Sequence, residues 1–244
     1  MSNLTPTPNP DGAIDLIIRP RDKDLGGFSV RRCLPTSERK IVGPWIFFDH
    51  MGPAEFPAGT GINVRPHPHI NLATVTYLFD GEILHRDSLG SLQPIRPGDI
   101  NLMVAGSGIV HSERERPEVT VSAHRQHGLQ LWLAEKDEEM AAVFLHYPAA
   151  RIPAVTVDGV ALRVMMGSAF GVTSPVAVFA ETLYVEAQMK EGQSIALPDA
   201  EERAVYVVEG GLNVRQTAIP EHALAVFTDA ANIVSWKRRR QRAW

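Results

Sequence analysis

Thr74-Val75-Thr76-Tyr77-Leu78-Phe79, then Asp80-Gly81, then Glu82-Ile83-Leu84-His85-Arg86, is the stretch from which the fold is read. β-Branched and aromatic residues on both sides of Asp-Gly predict two strands joined in a tight hairpin, because Asp-Gly accepts the positive φ angles such a turn needs. A second Asp-Gly, at Asp158-Gly159, separates Val155-Thr156-Val157 from Val160-Ala161-Leu162-Arg163-Val164 and predicts another. Along most of the chain Gly, Pro and Asp recur at intervals of roughly 8 to 12 residues, with short runs of Val, Ile, Thr, Tyr and Phe between them. That pattern is β-rich. Glu135 to Val143 is the best helical stretch, expected to cap or link.

Sliding the first hairpin along the chain places Tyr77, Gly81 and Arg86 on Tyr206, Gly210 and Arg215 at one common offset, with Asp80 on Glu209. Ile95-Arg96-Pro97-Gly98-Asp99-Ile100 is echoed by Ile219-Pro220-Glu221-His222-Ala223-Leu224. Two similar β units in tandem are expected, joined near Tyr147 to Pro153.

The chain has 244 residues, 44% hydrophobic and 21% charged, which excludes wholly disordered, collagenous and coiled-coil classes. Its formal net charge of −4 argues against a protein that coats nucleic acid, although Lys237, Arg238, Arg239, Arg240 and Arg242 form a basic tail. The single cysteine, Cys33, excludes an internal disulfide and a Cys-rich zinc site and suits a reducing cytosol. A half-buried strand cysteine is preferred for it over a redox sensor. No run approaches the ~18 apolar residues of a membrane helix. Met1 to Gly12 lacks the features of a signal peptide and reads as a loose arm, so a cytoplasmic protein is expected.

The chemistry is carried by Arg65-Pro66-His67-Pro68-His69 and by Gly106-Ser107-Gly108-Ile109-Val110-His111-Ser112-Glu113. In an extended strand residues i and i+2 share a face, so His67 with His69, and His111 with Glu113, can each present two ligands to one ion. Three imidazoles and a carboxylate leave positions open for water, dioxygen or substrate. Such a set suits Fe(II), Mn, Ni, Co or Cu without sharp preference.

Gly61, His67-x-His69, Pro97-Gly98-Asp99 and Gly108-x-x-His111 resemble the two cupin motifs. Together with Thr74-Val75-Thr76-Tyr77, Asp87-Ser88-Leu89-Gly90, His127-Gly128-Leu129-Gln130-Leu131-Trp132 and Gly43-Pro44-Trp45 through Gly52-Pro53, they look like the pirin family from about Ile14 to Ala134. The resemblance implies an all-β bicupin of two tandem jelly-roll barrels. The expected division is a flexible arm over 1–13, a metal-binding barrel over 14–147, a metal-free, shortened barrel over 148–236 and a basic tail over 237–244. It implies one divalent metal, Fe(II) foremost with Mn, Ni, Co, Cu or Zn as alternatives, held by His67, His69, His111 and Glu113. Bacterial members of the family open flavonols as quercetin 2,3-dioxygenases, and an animal nuclear member is a redox-dependent transcription cofactor. Whether this chain is an enzyme is thus left open. The leading expectation is a dioxygenase taking a flavonol-like aromatic substrate, with Glu113 also accepting the substrate proton. The alternative is a redox-responsive metal-binding protein that regulates a protein partner without turnover, and a third reading keeps the metal only as a staple of the fold. No direct nucleic-acid or membrane partner is expected.

Two departures stand out. Many relatives carry a Glu four residues after His69, where this chain has Ala73, and Asn71 stands where many have Gly. The ligand positions map in the second unit onto Ala196, Pro198, Ser235 and Lys237, none able to replace them, and Ser235 to Trp244 reads as an altered or shortened ending. An unpaired edge around Ala223 to Ile233 is therefore expected, and with it either self-association through the C-terminal half or opening of that half before the N-terminal barrel unfolds. His50 is expected to pack rather than line a pocket, and His85, His124, His127, His146 and His222 are assigned to structure or surface.

Overall fold

The computed structural model describes residues 12–25, 27–135, 140–229, 231 and 233–236. The arm over 1–11 and the basic tail lie outside them. Strand β1 (Ile14–Ile18) is followed by β2 (Arg21–Asp24), β3 (Ser29–Leu34), β4 (Trp45–Phe56), β5 (Asn63–His69), β6 (Leu72–Asp80) and β7 (Ile83–Asp87). Next come β8 (Leu92–Ile95), β9 (Ile100–Val104), β10 (Ile109–Arg114), a single helical turn at Pro117–Thr120, β11 (His124–Ala134) and β12 (Val143–Tyr147).

These residues form two compact units. The larger takes Arg21–Ile152 with Ser174–Thr182. Its two sheets have the orders β12-β9-β6-β11-β4-β3-β2 and β5-β10-β7-β8. A core of Val30, Met51, Phe56 and Leu78 from the first sheet and Ile83 and Ile95 from the second fills the space between them. Central β6 is buried from Ala73 through Leu78, which is why its sequence is a continuous β-branched and apolar run rather than a clean alternation. β5 is an edge strand, and only an edge accommodates Pro66 and Pro68, which lack the N–H a second ladder would need.

The Asp80-Gly81 turn is present, with Gly81 at φ +89°, but it does not make a hairpin. β6 pairs with β9 and β11, while β7 pairs with β10 and β8, so the turn is a corner between two sheets. Hydrophobic runs of both strands need opposite walls of one core, and the corner supplies them. Glu135 and residues 140–142 are not helical, and Val143 opens β12; residues 136–139 lie outside the described set.

The smaller unit holds β13 (Ala154–Val157), β14 (Val160–Met166), β15 (Ser168–Ala169), β16 (Val172–Thr173), β17 (Tyr184–Gln188), β18 (Ser194–Ala196), β19 (Ala204–Tyr206), β20 (Gly211–Val214), β21 (Thr217–Pro220), β22 (Leu224–Phe227) and β23 (Ile233–Trp236). The hairpin at Asp158-Gly159 forms as expected, Val157 facing Val160 across two residues with positive φ. The internal repeat is visible in the ladders. The order β18-β23-β20-β21 reproduces β5-β10-β7-β8, and Gly210 turns the corner between β19 and β20 as Gly81 does between β6 and β7.

Two expectations about this unit are corrected. The boundary at residue 14 is displaced, because β1 pairs with β22 and so belongs to the smaller unit, with the divisions at Pro20/Arg21 and Ile152/Pro153. The expected unpaired edge is absent among the described residues. β22 is paired on both sides, by β1 and β19, and β23 lies between β18 and β20. Val207, Ile219, Ala225, Phe227 and Val234 fill its core with Ile14 from the N-terminal strand. The N-terminal strand β1 supplies one of the two ladders on β22.

Candidate metal centre

β10 runs antiparallel to β5 with His111 directly opposite His67 and Ile109 opposite His69. The alternation along each strand then turns His67, His69 and His111 to one side. Their ligand nitrogens all lie within 4.8 Å of one another, and ring centroids are separated by 4.4 Å (His67–His111), 4.9 Å (His67–His69) and 5.0 Å (His69–His111). His67 Nδ1 lies 2.8 Å from the Arg65 carbonyl oxygen. A carbonyl only accepts, so Nδ1 carries the proton and Nε2 is left for an ion.

Removal from water holds the His69 and His111 rings neutral. Burial, then the charge of His67, pushes His69 down to about 4. Burial, followed by His67, His85 and His69 and opposed by Asp87, pushes His111 down to about 3. His111 is 3% exposed and neither ring nitrogen has a hydrogen-bond partner. An imidazole buried with both nitrogens unsatisfied is costly unless something else occupies a lone pair. Three convergent imidazoles are a fitting donor set for a divalent transition metal, and they could hold one.

Glu113 is not one of that close group. It is half-buried, and removal of its carboxyl from water pushes it above the usual range while His67 and Thr76 oppose the shift.

Residues that sequence reasoning passed over complete the surroundings. His85, expected to be structural or at the surface, is 2% exposed, 5.3 Å from His111 between ring centroids, and donates from Nε2 to Asp87 Oδ2 at 2.9 Å. Its ring stacks on Phe144 at 4.1 Å. The signal was there: His85 and Asp87 have the same i, i+2 spacing as the two ligand pairs. Opposite stands an aromatic wall, with Trp132 edge-on to His69 at 5.0 Å and stacked on Phe47 at 3.9 Å. The Arg32 guanidinium sits 4.3 Å above Phe47 and grips Asp49 through two bonds of 2.8 and 2.7 Å.

The remaining histidines stay outside the cluster. His50 packs with its Nε2 2.8 Å from that of His127, His124 bonds Glu115, and His146 bonds Asn101. His222 lies 3.6 Å from Glu221. Cys33 is fully buried, and burial, with Asp49 adding, pushes its thiol up to about 12, which removes the reactive thiolate a redox sensor needs. Asn71 adopts φ +56°, the left-handed conformation that a Gly takes without strain and Asn tolerates best among the rest.

Gly61 is required by a close approach. A Cβ there would lie 1.8 Å from Oε2 of Glu115, whose carboxylate is buried and holds the Ile62 amide at 2.9 Å and His124 at 2.9 Å. Gly61→Ala is expected to cost about 1–3 kcal/mol by overpacking, read as a lower denaturation midpoint; an unchanged midpoint would show that Glu115 yields freely.

A β protein with a three-histidine cluster on paired antiparallel strands, in a four-stranded sheet whose order recurs in the second unit, belongs to the cupin class. More specifically, the chain is a member of the pirin family. The Pirin family model matches residues 27–133, and a pirin-like protein of Caulobacter vibrioides is 43% identical over 227 residues, 91% of this chain and 78% of that protein. The chain spans 64–79% of the length of the curated relatives it matches. A quercetin 2,3-dioxygenase structure from Acinetobacter baumannii matches with a TM-score of 0.77 and 31% identity over 93% of this chain and 81% of that one. The bacterial pirin YhhW from Escherichia coli, crystallised with nickel(II), shares the fold with a TM-score of 0.58 at 16% identity, over 89% of this chain and 95% of that one.

In the smaller unit the strands equivalent to β5 and β10 carry Ser-Ile-Ala (β18) and Ile-Val-Ser-Trp (β23). Neither offers an imidazole or carboxylate.

Proposed function

We propose that the larger unit is a metal-dependent dioxygenase site that opens a flavonol or similar aromatic enediol-like substrate, consuming dioxygen and releasing carbon monoxide. The carrying observation is the cluster of three imidazoles, with His111 unsatisfied at both nitrogens; the likeness to the Acinetobacter enzyme supports the reaction class. In this reading His67, His69, His111 and Glu113 hold one divalent ion, with Fe(II) foremost, in the first barrel of a bicupin. A bound ion would supply Lewis acidity toward the substrate oxygen and a route for electrons to dioxygen.

The protein's own groups do the rest. Glu113 accepts the substrate's hydroxyl proton. A groove of about 550 Å³ lined by Pro68, His69, Ile70, Leu72, Ile109 and Val110 gives a flat aromatic molecule an apolar rest that ends at a cluster histidine. Trp132 and Phe47 keep the neighbouring wall apolar.

Elemental analysis combined with oxygen uptake and carbon monoxide release on a flavonol panel tests the proposal. Metal-loaded protein that consumes no oxygen with any flavonol would overturn it. Leu72 is half-buried, lines this groove and alternates onto the face of Thr74 and Thr76, so Leu72→Asn should leave the fold intact and raise KM for a flavonol about tenfold with kcat little changed, the sign of lost uniform binding. Steady-state kinetics decide; an unchanged KM would place the substrate elsewhere.

A further inference from the structure

The cluster histidines are not held alike. The Arg65 carbonyl, 2.8 Å from Nδ1, fixes the ring of His67, whereas no hydrogen bond within the described residues holds the ring of His69. His69 also ends an edge strand that is paired on one side only. A metal-ligating imidazole almost always has an outer partner that sets the angle of its ring. The group that stands in that place for His69 is the Trp132 indole, which meets it in a T-shaped contact at 5.0 Å with 74° between the planes. Such a contact has a preferred angle, because the positive edge of one ring seeks the negative face of the other. Trp132 is itself clamped. Strand order β11-β4-β3 puts Phe47 on the strand between those of Trp132 and Arg32. The indole stacks on Phe47 at 3.9 Å with 11° between planes, and the Arg32 guanidinium lies 4.3 Å from the centroid of the Phe47 ring. Asp49, opposite Arg32 in the ladder, accepts two bonds of 2.8 and 2.7 Å from it, and a two-pronged grip fixes the guanidinium plane as a single bond does not.

We infer that Trp132 is the positioning residue of His69, and that Asp49, Arg32 and Phe47 form a buttress that holds the indole plane and, through it, the angle at which His69 offers its nitrogen to a divalent ion. The inference rests on the proposed ligand role of His69. It gives a use to an ion pair of which Asp49 is only 3% exposed: apolar residues of the same size fill such space at least as stably, so what the pair contributes is the geometry it imposes. It also accounts for aromatic residues at both 47 and 132, because flat rings pass an orientation along a stack, while aliphatic side chains fill the volume and fix no plane.

The test uses the full chain stripped of metal and titrated with cobalt(II) against a chromogenic chelator, with the visible spectrum of the cobalt form recorded. Trp132→Leu keeps an apolar side chain and removes the plane, Trp132→Phe keeps a plane, and His69→Ala removes the ligand. Arg32→Met combined with Asp49→Leu deletes the guanidinium from the stack and leaves neither charge buried alone, so its denaturation midpoint should stay near that of the unaltered chain. Trp132→Leu is expected to weaken cobalt binding about 10–100-fold, the paired change toward the low end of that range, each with a shifted spectrum. Trp132→Phe should recover most of the affinity and the spectrum. Wild-type affinity and spectrum in Trp132→Leu, alongside weakened binding in His69→Ala, would overturn the positioning role while leaving His69 a ligand. Wild-type affinity in His69→Ala would instead overturn the ligand role itself, and the inference with it. Should Trp132→Leu fail to fold, the paired variant reads the same stack from its outer end, and wild-type affinity and spectrum there would overturn the buttress.

Discussion

Purified protein carrying His67→Ala together with His69→Ala is expected to retain essentially no metal where the unaltered chain retains about one ion. The two residues supply two of the three nitrogens that meet within 4.8 Å. What remains is His111, a lone buried imidazole, with the half-buried Glu113 two residues along β10. Loss of a mere outer partner of a metal ligand typically weakens binding about 10–100-fold, and loss of two ligands must exceed that. The fold should survive, because β5 is an edge strand and both histidines are only half buried. Plasma mass spectrometry after desalting is the measurement. Near-full metal in a folded double variant would mean the ion sits elsewhere.

Ala73→Glu is expected to destabilise the protein rather than improve it. Sequence comparison with the family makes residue 73 the place for an additional carboxylate near the metal, but the ladder assigns it to the wrong face. Thr74 faces Trp132, and Thr76 faces Gln130, on the side of the histidines; Ala73 alternates with them and pairs with Leu133 and Val104. It is 0% exposed, and its neighbours on that face, Val75, Leu131 and Leu102, are between 0 and 4% exposed. A carboxylate there has no hydrogen-bond partner and no room. The cost of an uncompensated buried charge, about 3–5 kcal/mol, corresponds to a melting temperature lower by roughly 10 °C for a chain of this size. Calorimetry checks it. A variant as stable as the parent and more active would show that strand β6 is turned over relative to the register described here.

The reach of sequence reasoning is clearest where the determining interaction is local. The i, i+2 alternation placed His67 with His69, and His111 with Glu113, on common faces, and the structure brings the three histidines together. Asp158-Gly159 made its hairpin because both positive φ angles are properties of the turn residues themselves. The repeat was legible because each unit must turn the same corner, at Gly81 and at Gly210.

Where the outcome depends on which distant strand lies alongside, the local pattern is silent. Asp80-Gly81 has the same turn chemistry as Asp158-Gly159, yet its flanking strands pair with β9, β10 and β11 instead of each other. Nothing near Ile14 tells that its partner is Phe227, more than two hundred residues away, so β1 was assigned to the wrong unit. His85 and Asp87 carried a readable spacing, but only the pairing of β7 with β10 brings that dyad beside His111. The face of Ala73, and the meeting of Thr76 with Gln130, follow from register across three strands. Alternation gives each strand two faces, and only the packed sheets decide which one meets the metal site.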